Sequence, residues 1–336
     1  MTGRERVFAT LTGQPRDHLA FLPITMMLAA ERIGVPYRTY ATDYNALVAG
    51  QLRVAEDFGA DVVSCISDPA REAADCGAAL HLPEDLPPGM AAETPLIAYK
   101  GDLAHLTAPK PEDGARMHDR LQAARALREC VGEDLVVEGW VEGPCAEGAN
   151  LRGLQTLMMD FYEDPDFVRD LFEFTLALGI EFARAQFAAG AHWIGIGDAA
   201  ASLVGPVLYH EFVLPYEKRL VDTLHAGGIP VRLHICGNIT PLLAGIGSLG
   251  CELVDIDWMV PMAEARAKMG EAQVLAGNLN PVNAVQRSDP KQIAAALAAC
   301  YAAAGQRYIA GAGCEIPRGT PDENLAAMRD YAQSVA

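Results

Sequence analysis

Eight short β-like runs, separated by Ala-, Leu- and Arg-rich helical stretches, restrict the folds open to this chain more than any other feature. The runs lie near 21–25 (FLPIT), 61–66 (DVVSCI), 135–141 (LVVEGWV), 192–197 (HWIGIG), 230–236 (PVRLHIC), 252–257 (ELVDID), 273–277 (QVLAG) and 307–311 (RYIAG). Between them lie helical patterns such as residues 164–190 and PKQIAAALAACYAAAG. The first opens on Asp164 and Pro165, a cap-then-proline start, and stops at Gly190. Strands alternating with helices pair in parallel. Eight such units in 336 residues predict an α/β fold, a (β/α)8 TIM barrel forming a single domain over residues 1–336. No linker, low-complexity tract or charge block divides the chain. An open doubly wound sheet would use the same alternation with fewer strands. No Gly-x-Gly-x-x-Gly or Walker loop follows the first run, which weakens a nucleotide-binding sheet.

A barrel gathers the residues at the C-terminal ends of its strands around one mouth, where active sites form. Those residues are Asp68, Glu142, Asp198, His234 with Cys236, Asp257, Asn278 and Cys314. Turn formers also follow strands, so Asp68 and Asn278 individually carry little weight.

His234 and Cys236 stand two apart in VRLHICGNIT and therefore point to the same face of their strand. Three readings are open: core filling, a nucleophile beside its base, or part of a metal site. Cys314, in GAGCEIPRGTP after the last strand, is a candidate third member. Two thiolates and an imidazole suit Zn²⁺ and leave a tetrahedral position for substrate. A nucleophile–base pair needs an oxyanion hole, and nothing nearby resembles a protease or acyltransferase signature. No Gly-x-Ser-x-Gly elbow supports serine catalysis either. Cys65, Cys251 and Cys300 read as packing residues, and Cys145 lies nearer the mouth.

With 44 acidic against 26 basic side chains the formal charge is -18, so nucleic acid and anionic membrane surfaces are expected to be repelled. No window approaches 18 uninterrupted apolar residues, and the first residues have no apolar signal core. Scattered cysteines in such a chain read as reduced thiols, and the expected location is cytoplasmic.

Several segments together resemble the uroporphyrinogen decarboxylase superfamily, and within it the zinc-dependent, corrinoid-linked methyltransferase branch. They are RERVFATLTGQPRDHLAFLP, IGDAAASLVGPVLYHEFVLPYEKRL, LHICGNITPLL, LAGNLNPVNAV and GAGCEIPRGTPDENLAAM, and they run from end to end of the chain. LHICGN together with GAGCEIPRGTP is the specific part. The decarboxylases of the family carry an Arg-rich RQAGRYLPEY-type segment after the first strand. Here that place holds PITMMLAAERIGVPYRTY, with Arg32 and Arg38 but not that motif. They also lack the His-x-Cys pair and have GHG where this chain has Gly313 and Cys314.

The resemblance implies that His234, Cys236 and Cys314 ligate Zn²⁺ and that Asp198 and Glu142 serve catalysis. It places Asp68 and Asn278 at the mouth as contacts for the corrinoid, methylcobalamin presented by a separate corrinoid protein. Arg318 is the candidate contact for a small thiol or other methyl-donor substrate. Zinc would turn that thiol into a thiolate able to take the methyl group, or the reverse. Two other functions stay in view: a decarboxylase acting on a uroporphyrinogen-like tetrapyrrole, and a non-catalytic barrel that carries a corrinoid.

Overall fold

The computed structural model describes residues 1–91 and 93–336. Among the described residues there are nine strands: β1 (Val62–Ser64), β2 (Leu80–His81), β3 (Gly89–Met90), β4 (Val136–Glu142), β5 (Trp193–Gly197), β6 (Val231–His234), β7 (Leu253–Ile256), β8 (Val274–Leu279) and β9 (Tyr308–Ala312). Seven of them, in the order β1-β4-β5-β6-β7-β8-β9, form one curled sheet in which every neighbour is parallel. β2 and β3 pair as a small antiparallel hairpin that periodicity had not indicated.

The expected first strand, 21–25, is reduced to a single parallel bridge between Phe21 and Ala310. Pro23 has no N–H to give a ladder, and Asp61 takes the Phe21 N–H on its carboxylate at 2.8 Å. The segment nevertheless touches both sheet edges. Leu22 N donates to Ala310 O at 3.0 Å, Ala310 N to Ala20 O at 2.9 Å, and Asp61 N to Phe21 O at 3.0 Å.

Helices pack on the outside of the sheet. Pro165–Ala188 begins where expected, with the Asp164 carboxylate accepting from Phe167 N at 3.2 Å, and Gly190 follows it at φ +122°. Pro290–Ala304 is capped by Asp289, which accepts from Lys291 N and Gln292 N.

The inside of the curl is layered. Val62, Val136, Trp193, Leu253, Val274 and Ile309 form an apolar floor against Val7 of the N-terminal helix. One pleat higher the layer is polar, with Ser64, Glu138, Arg232 and Asp255, all buried. One pleat higher still stand Trp140 and His234, followed by Asp257 just past β7. Room for Trp140 comes from Gly195 on β5, where a Cβ would lie 2.3 Å from the indole. The strand period of two thus carries the wall from oil to charge to the open end.

Candidate metal centre

The three residues singled out by the sequence converge at the open end. His234 closes β6, Cys236 follows it, and Cys314 follows β9. His234 Nε2 lies 2.9 Å from Cys236 Sγ and 3.8 Å from Cys314 Sγ, and the sulfurs are 3.7 Å apart. Ligands on tetrahedral zinc, with Zn–S about 2.3 Å and Zn–N about 2.0 Å, lie roughly 3.5–3.8 Å from one another. Two of the three separations meet that spacing, and the third opens to it with a small swing of the Cys236 thiol. All three donors lie within 4.8 Å of one another, and among the described residues no other His, Cys, Asp and Glu set meets that test.

The imidazole is aimed from behind. Asp255 Oδ2 lies 2.8 Å from His234 Nδ1, which leaves Nε2 turned to the sulfurs. A carboxylate behind a histidine fixes its tautomer and raises its basicity as a ligand. Asp255 is itself clasped by Arg232, whose Nη1 reaches Glu138, and Glu138 also accepts from Trp193 Nε1 at 2.8 Å. Asp257 accepts from Gly237 N at 3.0 Å and Met259 N at 2.9 Å, and so pins the backbone beyond Cys236. The amide beside Cys236 is therefore already donating, which removes an oxyanion donor from the nucleophile–base reading.

Held this close, the two thiols ionise unequally. A hydrogen bond from Cys236, helped by His234, draws Cys314 down to about 4. The same contact with Cys314, together with burial, pushes Cys236 above the usual thiol range. Burial works against the imidazolium of His234, but Cys236 and Asp255 outweigh it and raise the group well above its ordinary value. The pair thus holds one negative sulfur, on Cys314, with the second proton kept on Cys236.

A cavity of about 160 Å³ opens on the trio, and Trp140, Asp68, Glu142 and Glu315 are among its other walls. It shares Pro69, Glu142 and Ala199 with a larger groove of about 590 Å³ that runs outward past Asn150 and Leu154. Asp68 faces the cavity while accepting from Ser67 Oγ and Arg116 Nη2, each at 2.7 Å. Glu142 accepts from Arg71 Nη2 at 3.0 Å, yet burial dominates and pushes its carboxyl up to about 8.

That position fixes the sign of a pH effect. The folded chain keeps a proton on Glu142 that the unfolded chain releases from its ordinary value of 4.5 upward, so this group's contribution to stability falls as pH rises from 4.5 through about 8. Thermal melts of Glu142→Gln are expected to lose less Tm than the parent between those limits. Parallel pH slopes in the two proteins would remove Glu142 as the cause.

The other sequence candidates sit elsewhere. Asp198 is fully buried, and its carboxylate turns beneath helix Pro144–Arg152 to accept from Ala146 N at 2.6 Å and Cys145 N at 3.3 Å. Burial and the adjacent Glu217 push it well above the carboxylate range. Its neighbours Gly197 and Ala199, rather than Asp198, line the cavity. Asn278 lies on β8 and donates to Val260 O at 2.7 Å and Asp257 O at 3.3 Å, which ties down the loop after β7. Arg318 is exposed, 3.9 Å from Asp85, and does not line the cavity. Trp140, Glu315, Arg71 and Asp255 had not been singled out. The signals for two of them were present: a charge in mid-strand at LVDID, and a Trp opposite the glycines of WIGIG.

Comparison with known proteins points to one family. A family model described as uroporphyrinogen decarboxylase (URO-D) matches residues 2–335. A methylcobamide:CoM methyltransferase MtbA of Methanosarcina mazei is 31% identical over 225 residues, covering 66% of this chain and 65% of the relative, just under two thirds of its length. The protein of the same name from Methanosarcina acetivorans is 26% identical over 340 residues, covering 99% of this chain and 98% of the relative. A uroporphyrinogen decarboxylase of Parasynechococcus marenigrum is 27% identical over 273 residues, covering 74% of this chain and 75% of its own. Among solved structures, a methyltransferase from Methanosarcina mazei matches with a TM-score of 0.90 over 99% of both chains at 21% identity, which speaks for the fold.

Proposed function

The chain belongs to the uroporphyrinogen decarboxylase family, and from that premise we propose that it is a zinc-dependent methyltransferase moving a methyl group between a corrinoid protein and a small thiol or thioether. The single observation that carries this reading is the trio His234, Cys236 and Cys314, whose donors all face one cavity. The MtbA relatives, named for methyl transfer between a cobamide and CoM, support it.

In this reading His234 Nε2, Cys236 Sγ and Cys314 Sγ hold Zn²⁺. Zinc supplies the charge that keeps a bound thiol deprotonated at neutral pH, where a free thiol is mostly protonated and unreactive. The chain's own residues do the rest. Asp255 orients the imidazole, Asp257 pins the loop behind Cys236, and Asp68 and Glu142 form the polar wall of the substrate cavity. Asp198 acts as a positioning residue by holding the start of helix Pro144–Arg152, which borders the outer groove. Asn278 acts on the corrinoid side through the 257–260 loop it secures. That loop carries Trp258 and Met259, which are 46% and 49% exposed. With Leu203 and Val207 after β5, also exposed, they offer an apolar rim on which a corrinoid protein can seat. Arg318 is exposed beside Asp85 and takes no part in the small-substrate cavity.

We further read residues 20–24 as the eighth stave, which makes a closed (β/α)8 barrel of one domain over 1–336. Its hydrogen bonds to β9 on one side and to Asp61 on the other support this. No described helix is long and apolar enough to cross a membrane. The two ligand thiols need a reducing compartment, so the protein is placed in the cytoplasm.

The test is metal content and methyl transfer in one preparation. Purified protein is expected to hold one zinc per chain and to methylate a small thiol from methylcobalamin, and chelation is expected to remove both. Full activity without stoichiometric zinc, or decarboxylation of uroporphyrinogen by the same preparation, would overturn the reading.

A further inference from the structure

Beyond the trio itself and three carboxyl groups, the cavity is walled by apolar side chains, Ile24, Met26, Ile66, Pro69 and Trp140 among them. Each carboxyl is already engaged from behind. Asp68 accepts from Arg116 Nη2 at 2.7 Å, Glu142 from Arg71 Nη2 at 3.0 Å, and Glu315 from Met27 N at 2.7 Å. Burial also keeps most of Glu142 protonated near pH 7. Among the described residues lining the cavity there is no Lys or Arg, because both guanidinium groups stand behind the carboxyls they meet. An anion entering here meets no cation, and an ammonium meets carboxyls that are paired or neutral. Burying a charge without a partner is costly, so the cavity selects neither sign.

The cavity does not end the site. It shares Pro69, Glu142 and Ala199 with the outer groove of about 590 Å³, so one molecule can occupy both. Met90, Pro95, Ala146, Ala149 and Leu154 line that groove, and Glu142 is the one ionisable side chain among its described walls. Leu154 stands 43% exposed there. The amide of Asn150 is already committed, with Nδ2 donating to Pro69 O at 2.7 Å and Glu147 Oε2 at 3.1 Å. The cavity alone, at about 160 Å³, takes on the order of five non-hydrogen atoms at the ~30 Å³ a water occupies. Anything longer whose sulfur sits at the trio has the groove to enter. We infer, resting on the methyltransferase reading, that the thiol or thioether of this site carries an uncharged alkyl or aryl arm, which runs from the trio past Ala199 into the outer groove. The trio fixes the sulfur, and the apolar area the arm removes from water supplies the affinity.

Ethanethiol, 1-butanethiol and 1-hexanethiol share one thiol acidity and differ in arm length alone. Each is titrated calorimetrically into zinc-loaded protein near pH 7, beside 2-mercaptoethanesulfonate, and is then offered as acceptor to methylcobalamin. Affinity is expected to rise about threefold per added methylene, on the order of 10²-fold from ethanethiol to 1-hexanethiol. The sulfonate is similar in size to 1-hexanethiol and is expected to bind at least ~10-fold more weakly, although its more acidic thiol favours zinc. Ala199 is exposed where cavity and groove join. In Ala199→Phe, with retained zinc as the check on folding, the rise is expected to stop at 1-butanethiol. Leu154→Asp, on exposed surface further out, is expected to weaken 1-hexanethiol by about tenfold and to leave ethanethiol unmoved. A flat series, a sulfonate bound as tightly as 1-hexanethiol, or variants that keep both their zinc and the full rise would overturn the inference. The rise in affinity with no methyl transfer to any thiol leaves the arm standing and overturns the methyltransferase reading instead. Methyl transfer with a flat series does the reverse.

Discussion

Cys314→Ala is expected to leave the protein folded, without zinc, and at least ~10³-fold slower in methyl transfer, because two of three donors cannot hold the ion in a defined geometry. The sulfur of Cys314 contributes to the trio and to little else. It lies in the loop after β9, part-buried, with its two contacts directed to Cys236 and His234. Removing it opens no core cavity, so the melting temperature of protein stripped of metal should move by only a few degrees. The parent is expected to melt lower after chelation, while Cys314→Ala should be insensitive to chelator, since a ligand that binds only the folded chain stabilises it. Cys130→Ala, on an exposed thiol far from the mouth in sequence, serves as the control that keeps its zinc. Metal analysis and melts on the same samples decide the matter, and a Cys314→Ala protein with a full complement of tightly held zinc would rule out the trio as the site.

The trio was legible because each step obeyed a short rule. Period two put His234 and Cys236 on one face, and parallel alternation put the end of β9 at the same mouth as the end of β6. Cys314 became specific through the resemblance around GAGCEIPRGTP rather than through spacing. The candidates that lie away from the cavity do so for a common reason. A residue just past a strand end leaves the ladder, and local demands decide where its side chain goes. Asp198 answers the free N–H groups of helix Pro144–Arg152. Asn278 answers two carbonyls in the loop beyond β7, and Arg318 swings out toward Asp85. None of these partners is near in sequence, so no local pattern announces them. FLPIT read as a strand on composition, and its proline and the carboxylate of Asp61 then cut its regular pairing to one bridge. The charged layer under the site was visible in VRLHIC and LVDID. Its meaning required register, which alone sets Arg232 between Glu138 and Asp255.

Arg232→Met is the substitution expected to damage most while touching no proposed ligand. Its guanidinium holds Asp255 through Nε at 3.0 and 3.1 Å and through Nη2 at 2.7 Å, and Glu138 through Nη1 at 2.9 and 3.1 Å. All three side chains are at most 2% exposed. Methionine fills most of the volume and leaves two buried carboxylates with no cation between them, a loss of about 3–5 kcal/mol for a broken buried pair. Acid should partly rescue the variant. In the parent, burial alone would raise Asp255, but Arg232 and His234 outweigh it and hold the group below its ordinary value of 3.8. Its ionised form therefore stabilises the parent above pH 3.8, and that contribution is lost only as pH falls below this value. Without Arg232 the shift reverses, so the variant's penalty is full at neutral pH and shrinks on acidification as the buried carboxyls take up protons. A Tm gap that narrows toward low pH is the expected signature, and a gap constant with pH would mean the loss is packing alone. The same protonation strips Asp255 of its role as acceptor for His234 Nδ1, and zinc affinity, read by competition with a chelator, is expected to fall by about 10–100-fold. Asp255→Asn should reproduce the affinity loss with a smaller loss of stability, because Arg232 stays paired with Glu138 and no carboxylate is left without a cation. Glu138→Gln on the Arg232→Met background should recover stability without recovering zinc affinity. If Arg232→Met binds zinc as tightly as the parent, Glu138, Arg232 and Asp255 are three charges packed together for the fold. If it does not, the polar layer inside the curled sheet is the support on which the metal centre is built.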